Sequence, residues 1–198
     1  MKLHYAGASP FVRKVMICAV IRGLEGKIER VSSNPHQSPP DLLADNPLSR
    51  VPAMVTDSGD TLYDSPVICE YLDTLGDAAP LIPAAGPARI AALKWQALGD
   101  GIMDAAVARR MQAALPQDEA RVAFGVRQAA VVGRALDVLE QTDLAGPLEI
   151  GRITIGCALG YLDFRFAHED WKTARPKLAA WWKSVSTQHG FAETVPVG

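Results

Sequence analysis

Ser9 stands in front of Pro10 and an apolar run in ASPFVRKVMICAVI, residues 8–21. A hydroxyl at that place accepts from the exposed N–H groups of a first helical turn, which makes it a cap. The same geometry has a second use. Unpaired N–H groups and the positive end of the helix dipole favour an anion there, and the hydroxyl can donate a hydrogen bond to it. A thiolate suits the place: a thiol with a pKa near 8.5 is mostly protonated at neutral pH, and each unit of lowering stabilises the nucleophilic form by about 1.4 kcal/mol. No His or Asp lies beside Ser9 to act as its base, so it offers a hydrogen bond rather than nucleophilic attack. Cap and donor both remain open on this stretch alone.

A second stretch, NPLSRVPAM at residues 46–54, puts Pro52 at the opening of a strand and pushes Val51 into extended geometry. Trans is the default for the Val51–Pro52 bond; a cis bond would turn the Val51 N–H and C=O outward, free to pair with an extended peptide-like ligand. In DSPVICEYL, residues 64–72, Asp64 and Ser65 precede a helix begun by Pro66. They either cap that helix, or its N–H groups take the carboxylate of an amino-acid head group while Asp64 takes the ammonium. The ligand reading gains from the set: helix start, Xaa-Pro, helix start, on one small sheet.

The elements that must carry these residues follow from periodicity. Leu3 and Tyr5 alternate with Lys2 and His4 as a strand, which Gly7 breaks, and Val12, Val15, Met16, Ala19 and Val20 then repeat at helical spacing. A weak strand at Ile28 to Val31 leads into the proline-rich SNPHQSPPD and a short helical patch at Leu42 to Ala44. Ala53–Val55 and Thr61–Tyr63 flank a turn-forming Asp-Ser-Gly-Asp and read as a hairpin, followed by a helix from Pro66 to Leu75. The order β-α-β-α-β-β-α predicts a sheet with helices on its faces. Residues 76–87 are rich in Gly, Pro and Ala, and beyond them 88–114, 118–141, 154–168 and 176–188 carry only helical spacing. The expected organisation is an α/β domain at 1–77, a linker at 78–85 and an all-α domain at 86–198.

Composition bounds the partners. The 198 residues are 48% hydrophobic, and 20 basic against 22 acidic side chains leave a net charge of -2 without a block of either sign. Nothing here would hold nucleic acid or an anionic membrane electrostatically. No run approaches the roughly 20 apolar residues of a membrane span, and the short apolar run after Arg13 and Lys14 lacks a cleavage site, so a cytoplasmic protein is expected. Cys18, Cys69 and Cys157 are odd in number and far apart, which suggests buried thiols. His4, His36, His168 and His189 have no metal-ligand spacing, and no metal is expected.

The stretches SPFVRKV, NPLSRVPAM, DSPVICEYL, GRITIGCALGYLDF and HGFAETVP together resemble a bacterial cytosolic glutathione S-transferase over the whole chain. The resemblance implies a thioredoxin-like N-terminal domain, an all-α C-terminal domain and a homodimer, with glutathione as co-substrate. It implies that Ser9 contacts the glutathione sulfur, with Phe11 beside it. Val51 would pair with the cysteinyl backbone next to a cis Pro52, Asp64 and Ser65 would hold the γ-glutamyl end, and Arg50 would reach a carboxylate. The implied activity is conjugation of the thiolate to a small apolar electrophile. A scaffold without catalysis, or a glutathione-dependent reductase or isomerase, are the alternatives.

Three departures from the family pattern stand out. Ala8-Ser9 replaces the cysteine that many relatives carry, which disfavours dithiol redox chemistry; Ser49 stands where Gly is frequent; and Thr154, taken as a helix N-cap, lacks the acid three residues on, where Cys157 stands. On the long helix after the linker, Met103, Val107 and Arg110 share a face by i, i+4, i+7 spacing. The apolar pair is a core stripe, or, if that face looks toward Ser9, it lines an acceptor pocket in which Arg110 polarises the electrophile. Trp181 and Trp182 read as packing anchors, Arg13 as a partner of Glu70 or of a dimer neighbour, and His36 as an exposed loop residue or one that approaches the ligand.

Overall fold

A computed structural model describes residues 1–198. Its sheet is built from β1 (Lys2–Tyr5), β2 (Glu29–Ser32), β3 (Ala53–Val55) and β4 (Thr61–Leu62) in the order β2-β1-β3-β4. β1 is thus an inner strand, covered on both faces, and its expected alternation does not hold: Leu3 and His4 are both fully buried while Tyr5 is half-buried. The helices α1 (Pro10–Ile21), α2 (Pro40–Asp45) and α3 (Ser65–Asp73) complete this part of the chain. α1 buries nine of its apolar and basic residues in one run from Val12 to Val20, and packs against α3 through residues such as Ile68 and Leu72.

By contacts the chain falls into two units, Met1–Arg89 with Gln188–Gly198, and Ile90–Thr187. The last eleven residues therefore belong with the α/β unit and not with the helical part, where 86–198 was expected to end. Phe191 is the reason. Its side chain is wholly buried, Arg13 donates to its carbonyl at 3.3 Å and stacks on its ring at 5.6 Å, and Arg13 also reaches the Thr194 hydroxyl at 3.4 Å. Glu70, proposed from sequence as the partner of Arg13, pairs instead with Arg89 at 2.6 Å.

The expected linker is anchored rather than loose. Asp73 accepts from the N–H groups of Leu81 (2.7 Å) and Ile82 (2.9 Å), and both side chains are buried. Arg22, at the end of α1, donates to the carbonyls of Asp73 (3.1 Å), Leu75 (2.6 Å), Gly76 and Ala78. One buried guanidinium thus supplies donors to four carbonyls along a stretch of irregular backbone.

The second unit is all helix: α4 (Gly86–Ala113, whose first turn precedes the unit boundary), α5 (Glu119–Glu140), α6 (Ile150–Arg165) and α7 (Pro176–Val185). α6 starts one turn earlier than expected. Its N-cap is Glu149, whose carboxylate accepts from the N–H groups of Gly151 (2.7 Å) and Arg152 (2.9 Å), while Thr154 is a buried interior residue donating to the Ile150 carbonyl at 2.7 Å. Glutamate is a weaker cap signal than a threonine hydroxyl, which is why the sequence points to Thr154. Trp182 is buried with its indole N–H on Asp163 at 2.8 Å, and Trp181, half-buried, donates to the Leu144 carbonyl at 3.0 Å. No helix is long and apolar enough to cross a membrane.

Candidate functional site

Strand register decides where the sequence motifs meet. β1 pairs antiparallel with β3, His4 opposite Ala53, so β1 ends beside the start of β3. β3 pairs antiparallel with β4, Met54 opposite Leu62, so β4 ends beside that same start. β2 runs parallel to β1, with Ser32 opposite Tyr5. The chain leaves β1 toward Ser9, enters β3 from Val51–Pro52, leaves β4 toward Asp64–Ser65 and leaves β2 toward Asn34–Gln37. One end of the sheet therefore collects all four segments.

Ser9 is the N-cap of α1, in extended backbone, and its Oγ accepts from the Val12 N–H at 3.3 Å. That contact uses a lone pair and leaves the hydroxyl proton uncommitted, so cap and donor are compatible roles for one oxygen. Pro10 has no N–H, the Phe11 N–H has no partner within the chain, and no acidic residue occupies the first turn. Ser9 and Phe11 are both half-buried. This helix start is a place for negative charge.

The Val51–Pro52 bond is cis, against the trans default. Val51 is half-buried, and neither its N–H nor its C=O makes a hydrogen bond within the chain. A backbone donor and acceptor left free beside a sheet are available to an added extended strand or peptide. Arg50 is exposed, with no carboxylate near its guanidinium. Ser49 has φ of 50°, the left-handed backbone that glycine favours, and its Oγ donates to the Pro35 carbonyl (3.2 Å) and lies 2.9 Å from Ser38 Oγ. The turn keeps a glycine-type backbone although serine occupies it.

Asp64 occupies the N-cap position of α3 without capping it: its carboxylate makes no hydrogen bond or ion pair within the chain and is exposed. Ser65 is 1% exposed, and its hydroxyl is likewise unpaired. Plain capping thus fails as an account of this pair. His36 lies exposed in the Pro35–Gln37 turn at the same end of the sheet.

Four residues that sequence reasoning passed over support this edge. Asn46, 1% exposed, accepts from the Leu48 N–H at 3.0 Å and donates to the Arg50 carbonyl at 2.9 Å. The Asn-Pro pair was a turn signal that could have singled it out. His4 lies between the Ser33 hydroxyl and Asp45, 2.8 Å from each, and Asp45 also pairs with Lys2 at 2.6 Å. Partial burial raises the Asp45 pKa, but the hydrogen bonds and charges of Lys2 and His4 outweigh it and hold the carboxyl below its usual range. Nothing in the spacing of His4, Ser33 and Asp45 marks them as neighbours.

The expected acceptor residues lie on α4 in the helical unit. Met103 is wholly buried, Val107 half-buried and Arg110 exposed, so the core-stripe alternative describes Met103. The unit's own cleft, about 170 Å³, involves other residues, among them Ala106, Arg109, Val132, Leu162, Phe166 and Glu169. No group of three or more His, Cys, Asp or Glu is arranged to hold a metal ion, and no disulfide links the three buried cysteines.

Comparison with known proteins bears on the same edge. The family model described as glutathione S-transferase, N-terminal domain, matches residues 8–75. A GST-like protein of Escherichia coli K12, YibF, itself uncharacterised, is 33% identical over 99% of this chain and 98% of its own length. The chain belongs to the glutathione S-transferase family. Its α/β unit is the family's thioredoxin-like domain, and its second unit the helical one. The crystal structure of a glutathione transferase family member from Pseudomonas fluorescens Pf-5 with bound glutathione is 39% identical and superimposes with a TM-score of 0.95 over 100% of this chain and 99% of that one. A structure from the same organism with bound S-(propanoic acid)-glutathione is 38% identical, with a TM-score of 0.90 over the full length of both chains.

Proposed function

We propose that this transferase-family protein binds glutathione at the shared end of the sheet, holds its sulfur as a thiolate at Ser9, and transfers it to a small apolar electrophile. The observation carrying this reading is the convergence there of a capping serine with an uncommitted proton, an unpaired Val51 backbone and an unpaired Asp64–Ser65 pair. Relatives crystallised with glutathione and with one of its thioethers support both the ligand and the product class.

Each group has a task that follows from its chemistry. The Val51 N–H and C=O pair with the cysteinyl backbone of the tripeptide, as an added strand would. Asp64 and the α3 N-terminus take the ammonium and carboxylate of the γ-glutamyl end, with Ser65 donating to that carboxylate, and exposed Arg50 reaches the glycyl carboxylate. The sulfur then lies at the α1 start. The thiol proton leaves to water, Ser9 donates to the thiolate, and the sulfur lone pair forms the C–S bond as a leaving group departs or as a conjugated double bond takes up a proton. Phe11, half-buried beside Ser9 at the α1 start, faces the electrophile in this proposal. Ala8-Ser9 in place of a cysteine favours thioether formation over disulfide exchange. The protein works as a cytoplasmic homodimer in this reading, which sedimentation of the pure protein checks.

Calorimetric titration with glutathione, followed by assay against a panel of activated aryl halides and conjugated carbonyls, tests the reading. Saturable binding and a thioether product are expected. No heat and no product would refute it, and oxidised glutathione as the product would make the protein a reductase.

A further inference from the structure

If Val51 is the backbone partner of glutathione, as proposed above and on which this inference rests, something must aim its N–H. We propose that Asn46 is the positioning residue for the Val51 N–H, and that the Ser33–His4–Asp45 chain holds Asn46 in place. Asn46 is almost wholly buried and directly follows α2. Its Oδ1 accepts from the Leu48 N–H at 3.0 Å and its Nδ2 donates to the Arg50 carbonyl at 2.9 Å, so one side chain closes both parts of the loop from 46 to 50. The peptide from Arg50 to Val51 is not among the cis bonds and is therefore trans. In a trans peptide the C=O and N–H point in opposite directions across a rigid plane. Anchoring the Arg50 oxygen on Asn46 thus turns the Val51 N–H away from the loop's interior, where it finds no partner within the chain.

The support behind Asn46 reaches the centre of the sheet. Asp45, the last residue of α2, is bound by His4 Nε2 at 2.8 Å and by Lys2 Nζ at 2.6 Å, both from β1. The ionised Asp45 only accepts, so Nε2–H of His4 donates, and Nδ1 on the far side of the ring meets the Ser33 hydroxyl at 2.8 Å. A second tie runs from Ser49 to the Pro35 carbonyl and Ser38, joining this loop to the one after β2. The loop is held at the neighbouring residues 45, 46 and 49, and the freed backbone of Val51 follows immediately.

Asn46→Asp is the discriminating variant. It is nearly isosteric and still accepts from Leu48, but it has no donor for the Arg50 carbonyl. Loss of that one hydrogen bond should raise the glutathione Kd and KM about tenfold while kcat at saturation changes by less than about twofold. In the ligand-free protein, the residual dipolar coupling of the Val51 N–H should change while those of β1 and α1 do not, a shift that general destabilisation would not produce. An unchanged Val51 coupling, or an unchanged Kd in a wild-type protein that binds glutathione, overturns the inference. Failure of the wild type itself to bind refutes the proposed function instead, and the dipolar coupling still decides the role of Asn46. Should N46D not fold, Asp45→Ala takes its place: it removes the His4 anchor and should raise Kd about threefold and shift the same coupling, and no change in either overturns the proposal.

Discussion

Ser9→Ala separates the two roles of one oxygen. As a cap, Oγ accepts from the Val12 N–H at 3.3 Å, a long contact whose loss should cost about 1 kcal/mol of stability. For a chain of this length that is a fall in Tm of about 2–4 °C. As a donor to a thiolate, the same hydroxyl makes a charge-assisted bond worth about 2 kcal/mol. That raises the pKa of the bound thiol by about 1.5 units and lowers turnover near neutral pH about 30-fold. The glutathione Kd should move far less, because Val51, Asp64 and Ser65 hold the rest of the tripeptide. The assay is the pH profile of kcat/KM with an activated aryl chloride, alongside ultraviolet absorbance of the bound thiolate. The acid limb of the profile should shift upward by the same amount as the thiol pKa, and the variant should approach wild type above the new value. Ser9→Thr, which keeps the hydroxyl, should lie near wild type. A Ser9→Ala protein with the expected fall in Tm but an unshifted thiol pKa would show that the serine is a cap and nothing more, and that the Phe11 N–H and helix dipole stabilise the anion alone.

Other consequences follow from packing and charge. A Cβ at Gly151 would lie 2.6 Å from both the Ala92 carbonyl oxygen and Trp95 Cβ, so Gly151→Ala should destabilise the helical unit by about 2–3 kcal/mol, whereas Gly101→Ala, on open helix surface, should be neutral or stabilising; equal urea midpoints would refute the close approach of α4 and α6. Removing Gln188–Gly198 uncovers the surface that Phe191 buries and takes away the Arg13 contacts to Phe191 and Thr194, and should cost the α/β unit about 3 kcal/mol or more; a truncated protein with unchanged amide exchange in α1 would contradict the placement of the tail. Glu169, hydrogen-bonded by Arg109, and Asp45, hydrogen-bonded by Lys2 and His4, both have carboxyl pKa values below their ordinary 4.5 and 3.8. Their stabilisation is complete above those ordinary values and is lost as pH falls through the lowered ones, so urea midpoints should drop below about pH 4.5 with a slope that Asp45→Asn flattens; a flat profile would refute it.

What could be read from the residues alone was whatever depends on near neighbours in the chain. Helical spacing after Pro10, Pro66 and Pro176 predicted α1, α3 and α7, because apolar side chains three and four apart must share a face. The turn at Asp57 to Asp60 predicted the β3–β4 hairpin, and Ser9, Val51 and Asp64–Ser65 were recognisable as groups with free polar chemistry because caps and Xaa-Pro pairs are local devices. Where free energy depends on partners far along the chain, spacing was silent. His4 looked like the outward residue of a strand, and only the inner place of β1 buries it against Ser33 and Asp45. Thr154 looked like a cap until Glu149 took the first N–H groups of α6. The tail looked helical-domain in origin until Phe191 found its burial site on α1. The meeting of Ser9, Val51 and Asp64 at one edge also belongs to tertiary structure. It follows from strand order and from the β1–β3 register, which pairs residues some fifty positions apart and so leaves no trace in any window of the sequence.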